Sequence, residues 1–165
     1  MLIIRFKFLW IIAASLLLAA CGEPDKPIKN MSSVQQPAKP MEKSVVFQRN
    51  NDIAKIVRGG KIFKQNCASC HGDNAQGANN WQKRDAKGKF PPPPLDGTGH
   101  AWHHPMAGLK QTIFFGTEKI GGSMPGWQGK LTHTQVDDVL TWVQAKWPDE
   151  LYQAWANNNA RSLKK

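Results

Sequence analysis

Five consecutive residues carry the most distinctive chemistry in this 165-residue chain: Cys67-Ala68-Ser69-Cys70-His71. Side chains three positions apart lie on nearly one face of a helical turn. Both thiols can therefore add to the two vinyl groups along one edge of a haem. His71 follows directly, so its imidazole can meet the iron. The C-x-x-C-H run is the sequence signature of c-type haem attachment. Two other chemistries use C-x-x-C. A redox dithiol expects a βαβ context, which the sequence does not offer. A zinc site of the paired type needs a second C-x-x-C, which is absent.

A haem iron held by His71 has a second axial position. Thioether sulfur suits it and raises the reduction potential relative to bis-histidine ligation. Met124 is the first candidate. It sits in Gly121-Gly122-Ser123-Met124-Pro125-Gly126-Trp127, where glycines permit close backbone approach and proline stiffens the loop. Met106 is the runner-up. His100, His103, His104 and His133 are further candidates. The cluster His100-x-x-His103-His104 could also bind copper or zinc, or tune docking by protonating near neutrality. Met31 and Met41 read as scattered residues.

The elements that must position these groups are helical. Ile53, Ile56, Val57, Gly60 and Phe63 recur at spacings of three and four, an amphipathic helix capped by Asn51 or Asp52 and running into Cys67. Leu109, Ile113, Phe114 and Phe115 predict a short helix ending at Gly116. Thr132-x-x-Gln135 reads as a capping box. Val136, Val139, Leu140, Val143 and Trp147 follow at helical spacing, and Pro148 stops that helix. The expected fold class is all-α.

The N-terminus reads as an export signal. Arg5 and Lys7 precede an apolar run of 13 residues, Phe8 to Ala20, interrupted by Ser15. A bilayer span needs ~18–20 residues. Leu18-Ala19-Ala20-Cys21 resembles a lipobox, which implies cleavage before Cys21 and a lipid on its thiol. Two or three acyl chains hold a protein stably at a membrane. With Cys21 lipidated and Cys67 and Cys70 on haem, no cysteine of the three is left over. The expected organisation is a signal peptide at 1–20, a lipid-anchored linker at 21–51, a haem domain at 52–148, and a basic, partly helical tail at 149–165. The linker holds Pro24, Pro27, Pro37 and Pro40 and no apolar periodicity.

The chain has 22 basic and 12 acidic residues; two of the basic ones, Arg5 and Lys7, belong to the leader, leaving 20 and a formal +8. An exported chain does not meet nucleic acid, so the charge fits an acidic redox partner or an anionic membrane surface better.

Residues 55 to 147 resemble class I cytochrome c of the bacterial monohaem type. The resemblance rests on Gly60-x-x-Phe63 before Cys67-x-x-Cys70-His71-Gly72, on Pro93-Pro94-Leu95-x-Gly97, on Gly122-Ser123-Met124-Pro125-x-Trp127, and on the helix before Pro148. It implies three to five helices around one covalent haem c, with Cys67 and Cys70 as thioethers and His71 and Met124 as axial ligands. It also implies that the Pro93 carbonyl accepts the His71 Nδ1–H, that Leu95 packs on the haem, and that Trp142 packs on Gly60 and Phe63. Trp127 and Trp102 are candidates to donate an indole N–H to a propionate. Asp73 to Phe90 is longer than the shortest class I pattern and reads as a surface insertion at the haem edge.

A full axial ligand set argues for an electron carrier rather than an enzyme. The expected role is electron transfer between respiratory partners such as a terminal oxidase, a reductase or a dehydrogenase, on the periplasmic or extracytoplasmic face. The competing readings are a peroxidase-like haem enzyme, which needs Met124 absent or weakly bound, and a metal-handling or sensor lipoprotein built on the histidine cluster.

Overall fold

In a computed structural model, residues 46–164 are described. The leader, Cys21, Met31, Met41 and the linker to residue 45 lie outside the described residues. Glu42–Lys165 forms one unit by itself. Among the described residues all regular structure is helical: α1 (Ile53–Asn66), α2 (Ala68–His71), α3 (Met106–Phe115), α4 (His133–Ala145) and α5 (Asp149–Ser162). Short 3-10 turns cover Ala101–His103 and Glu118–Ile120. None of these helices is long and apolar enough to cross a membrane.

The helix boundaries follow local chemistry. The Asp52 carboxylate accepts the Lys55 N–H at 3.1 Å and starts α1. Thr132 and Gln135 form a reciprocal capping box at the start of α4. Gly116 caps α3 at φ 69, a conformation that favours glycine. Pro148 follows α4 and immediately precedes α5.

The central packing event is the crossing of α1 and α4. Phe63 is fully buried, and its ring lies 4.4 Å from that of Trp142. A Cβ on Gly60 would stand 2.8 Å from the Trp142 Nε1, so the expected Gly60–Phe63–Trp142 contact forms. Gly59 is the tighter point: a Cβ there would overlap the backbone carbonyl of Asp138. Asp138 is buried on α4, and Arg58 of α1 reaches it through Nε at 2.8 Å and Nη2 at 3.2 Å. Charge pairing and close backbone approach thus act at adjacent residues of one crossing.

The C-terminal segment is ordered further than its polar sequence suggests. α5 runs to Ser162, and Tyr152, Trp155 and Ala156 are buried with Trp147 and Val143 in one apolar cluster. Residues 46–50, read by composition as linker, lie against this helix. Phe47 and Gln153 exchange two hydrogen bonds of 2.8 Å each. The Arg49 guanidinium donates to the carbonyls of Gln144 and Trp147 and to Asp149, and its carbon sits 4.4 Å over the Tyr152 ring.

Gly59→Ala should destabilise the fold despite the gain in helix propensity, because the displaced atom is backbone rather than a movable side chain. Overpacking of this kind costs about 1–3 kcal/mol. Gly60→Ala should cost less, since the Trp142 indole can yield. Guanidinium melts of the two variants give the comparison; equal midpoints would contradict it.

Candidate haem-attachment site

The motif begins where α1 ends. Cys67 caps α1, its N–H bonded to the Phe63 carbonyl at 2.8 Å. Its own carbonyl then accepts the N–H groups of Cys70 at 3.1 Å and His71 at 2.9 Å. The two cysteines and the histidine therefore occupy one closed turn, with no disulfide between the thiols. Burial, and secondarily the neighbouring Cys70, push the Cys67 thiol up to about 11. A redox dithiol needs a lowered thiol pKa. The site has the opposite character, and the thiol is protonated at neutral pH.

His71 is buried, and its Nδ1–H donates to the Pro93 carbonyl at 2.9 Å. Holding that nitrogen leaves Nε2 as the free, unprotonated one, which is the state a metal ligand requires. Burial lowers the His71 pKa, while the Pro93 hydrogen bond acts in the opposite direction.

The chain must turn back to bring Pro93 under His71. The Gly77 N–H bonds the His71 carbonyl at 2.7 Å. Two pairings then set the return segment antiparallel: Ala78 N–H to the Pro92 carbonyl at 2.9 Å, and Leu95 N–H to the Ala75 carbonyl at 2.7 Å. Gly77 has φ 70, and a Cβ there would lie 2.6 Å from the Pro93 carbonyl carbon and 2.8 Å from the Pro94 Cα. Sequence reading found Pro93 and passed over Gly77. The signal was a glycine just after the motif, one of several in the region and so not distinctive.

Met124 lies on a loop stitched to the end of α3. Trp127 N–H bonds the Ile113 and Phe114 carbonyls at 3.0 Å each, and Gln128 N–H also bonds Phe114 at 3.0 Å. Thr117 N–H reaches the Met124 carbonyl at 2.9 Å, and the Met124 N–H donates to the Thr117 hydroxyl at 3.1 Å. Met124 is half-buried and thus held by its own backbone on both sides. The Ser123 hydroxyl contacts the Phe90 carbonyl at 3.5 Å, joining this loop to the segment that leads into Pro93.

The remaining candidates are placed differently. Leu95 packs against the apolar cluster, and its carbonyl accepts the Trp147 indole N–H at 2.8 Å. Trp127 carries the Lys130 ammonium 5.6 Å from its ring centroid. The Trp102 indole N–H is engaged by the Gly99 carbonyl at 3.1 Å, so it is not free to donate elsewhere. Met106 begins α3, its N–H bonded to Asn159 at 2.9 Å, and its side chain packs on the core. His133 tilts against Phe114 at 4.6 Å.

The histidine cluster does not form a metal site. His103 stacks on Trp102 at 3.6 Å, and His100 stacks on Trp81 at 5.5 Å with His104 edge-on to it at 5.5 Å. No group of three or more His, Cys, Asp or Glu side chains among the described residues could hold a metal ion. Burial, then His104 and His103, lower the His100 pKa. The ring faces of His100 and His103 are engaged in aromatic packing.

Residues 54–143 match the protein family described as cytochrome C oxidase, cbb3-type, subunit III. The cbb3-type cytochrome c oxidase subunit CcoP of Azospirillum sp. (strain B510) is 32% identical, over 56% of this chain and 29% of its own length. The FixP subunit of Bradyrhizobium sp. (strain ORS 278) is 32% identical, over 53% of this chain and 26% of its own. Cytochrome c6 of Parathermosynechococcus lividus is 29% identical, over 62% of this chain and 99% of its own. The chain thus spans less than a third of the oxidase subunits it matches. No solved structure matches.

Gly77→Val should displace the Pro93–Pro94 backbone and release the His71 ring. The expected outcome is less covalent haem per polypeptide by pyridine haemochrome assay, and a higher reduction potential in the fraction that matures, because a weaker imidazole donor stabilises Fe(III) less. Wild-type haem content with an unchanged potential would show that Gly77 does not position Pro93.

Proposed function

Because this chain belongs to the family described as cytochrome C oxidase, cbb3-type, subunit III, and is itself a monohaem class I c-type cytochrome whose cofactor is covalent haem c, we propose that it carries single electrons between redox proteins. The observation that carries the reading is the Cys67–His71 turn with Nδ1 of His71 held by Pro93. Cys67 and Cys70 would hold the haem as thioethers, and His71 and Met124 would ligate its iron. Leu95 and Trp127 belong to the haem surroundings. When bound, the haem supplies a one-electron Fe(III)/Fe(II) couple.

The protein's own part is to hold and to exclude. Pro93 fixes the His71 tautomer and makes the imidazole a stronger donor. Two hydrogen bonds to Thr117, one from its N–H and one to its hydroxyl, fix the Met124 backbone that carries the thioether. With both residues ligating the iron, no position would be left for a substrate, and the haem would supply outer-sphere electron transfer. This distinguishes a carrier from a peroxidase-like enzyme.

The donor and acceptor classes that fit are a terminal oxidase, a reductase or a dehydrogenase. The CcoP and FixP relatives are oxidase subunits by name, and they favour the first of these. The lipobox-like run ending in Cys21 supports a haem domain tethered by lipid at the extracytoplasmic face.

Two measurements test this reading. The oxidised holoprotein should be low-spin and show the methionine-to-iron charge-transfer band, and Met124→Ala should abolish the band and lower the reduction potential. A high-spin wild-type spectrum at neutral pH would instead favour the enzyme. Mass spectrometry of the mature protein should find a diacylglycerol-modified Cys21 at the N-terminus. A retained Met1 leader or an unmodified Cys21 would remove the tether from the account.

A further inference from the structure

The segment between the two ligand-bearing loops does no work in the reading above. Residues 79–90 leave the His71 turn after Ala78 and rejoin it at the Pro92 carbonyl, two positions bonded to each other at 2.9 Å. Between them lie Lys83, Arg84, Lys87 and Lys89, with Asp85 as the one carboxylate.

This insertion has a fixed shape. The Asp85 carboxylate accepts the N–H groups of Lys87 and Lys89 at 2.9 Å each, and Asp85 N–H bonds the Lys89 carbonyl at 2.8 Å. Gly88, at φ 71, closes the turn with nothing near the place of a Cβ. Arg84 donates to the Gly88 carbonyl at 2.7 Å and lies 4.3 Å over the Phe90 ring. The one acidic side chain of the loop is thus bonded to backbone amides, while Lys83 and Lys87 are exposed and Lys89 is half-buried.

The charges are unneutralised. Three ion pairs form among the described residues, Arg49–Asp149, Arg58–Asp138 and Lys110–Asp137, and none uses a cation of this loop. The Phe90–Ser123 contact sets the loop beside the Met124 turn. That turn presents Ile120, 83% exposed, next to Lys119, with Glu118 as its carboxylate.

We infer that the 83–89 loop, with Lys119 and Ile120 beside it, is a docking surface for an acidic redox protein. A preformed loop presents its charges without an ordering cost on binding. A cationic patch around a small apolar contact steers an anionic partner and sets its register. Fixed geometry is what a protein partner rewards; a lipid surface needs only charge. The inference rests on the electron-carrier reading.

The test uses full-length holoprotein and an acidic flavodoxin hydroquinone as electron donor, in stopped flow across a salt series. The loop variant is K83E/K87E/K89E, and the control is K55E/K61E/K164E, which makes the same change in net charge. The wild-type rate should fall with salt. The loop variant should be slowed about tenfold or more at low ionic strength, with a flattened salt dependence, and the control only slightly. Equal slowing in both variants would reduce the effect to net charge, and no slowing in either would remove the loop from docking; both overturn the proposal. Loss of binding to phosphatidylglycerol vesicles in the loop variant alone, with flavodoxin rates unchanged, would assign the loop to a membrane and also overturn it. Ferricyanide oxidation and the methionine charge-transfer band are read in parallel. If the wild type lacks the band, the carrier reading fails first and the docking proposal falls with it; if the band and ferricyanide rate are normal, the outcome concerns the loop alone.

Discussion

The hydrogen bond from His71 Nδ1 to the Pro93 carbonyl joins the attachment turn to a segment 22 residues away in sequence, and much of the surrounding architecture exists to permit it. A buried imidazole with both nitrogens free could adopt either tautomer and rotate about its side-chain bonds. One carbonyl removes that freedom. The carbonyl must itself be aimed, and proline has no N–H to anchor its own position. The anchors are therefore supplied by its neighbours: Pro92 through its carbonyl to Ala78, and Leu95 through its N–H to Ala75. Gly77 allows these backbones to approach as closely as they do.

A second layer holds that segment from behind. The Trp147 indole N–H donates to the Leu95 carbonyl and the Trp155 indole N–H to the His104 carbonyl, at 2.8 and 3.0 Å. Asn158 and Asn159 of α5 reach the His103 carbonyl and the Met106 N–H. Residues 95–106 have little regular structure of their own, so their backbone polar groups need partners from outside. Indoles and amides carried on α5 and the Lys146–Pro148 connection supply them, and the rings bury apolar area in the same act. α5 in turn depends on the α1–α4 crossing, because Trp147, Tyr152 and Trp155 pack into the cluster that Phe63 and Val143 begin.

The helices were legible because their signals are local. Periodicity placed α1 and α4, capping residues gave their starts, and Gly116 and Pro148 marked two ends. The C-x-x-C-H turn was legible because its chemistry fits in five residues. Long-range choices were not. Gly59 and Gly60 look identical in sequence, and only the register of α4 decides that Gly59 meets backbone while Gly60 meets a movable indole. The tail reads as only partly helical, yet Asn158 and Asn159 bond the 103–106 backbone across a large sequence separation. The three clustered histidines suggested metal because their spacing is compact. Spacing alone could not foresee that Trp81 and Trp102 would take up two of the rings.

The basic composition acquires meaning only through placement. Arg49 and Arg58 are consumed in holding α5 and the α1–α4 crossing, and Lys110 pairs with Asp137. Lys130 and Lys146 lie over Trp127 and Trp142. These five cations are tied to the fold, and their charge would be present whatever the protein met. The insertion is different. It could have been shorter without loss to the Ala78–Pro92 pairing that closes its base, and it contributes no residue to the buried cluster. Its internal bonds fix the turn around Asp85. With four cations to one carboxylate, the loop keeps a net positive field. Burial and tautomer control set the site at its base, and surface charge is the property the loop adds to it.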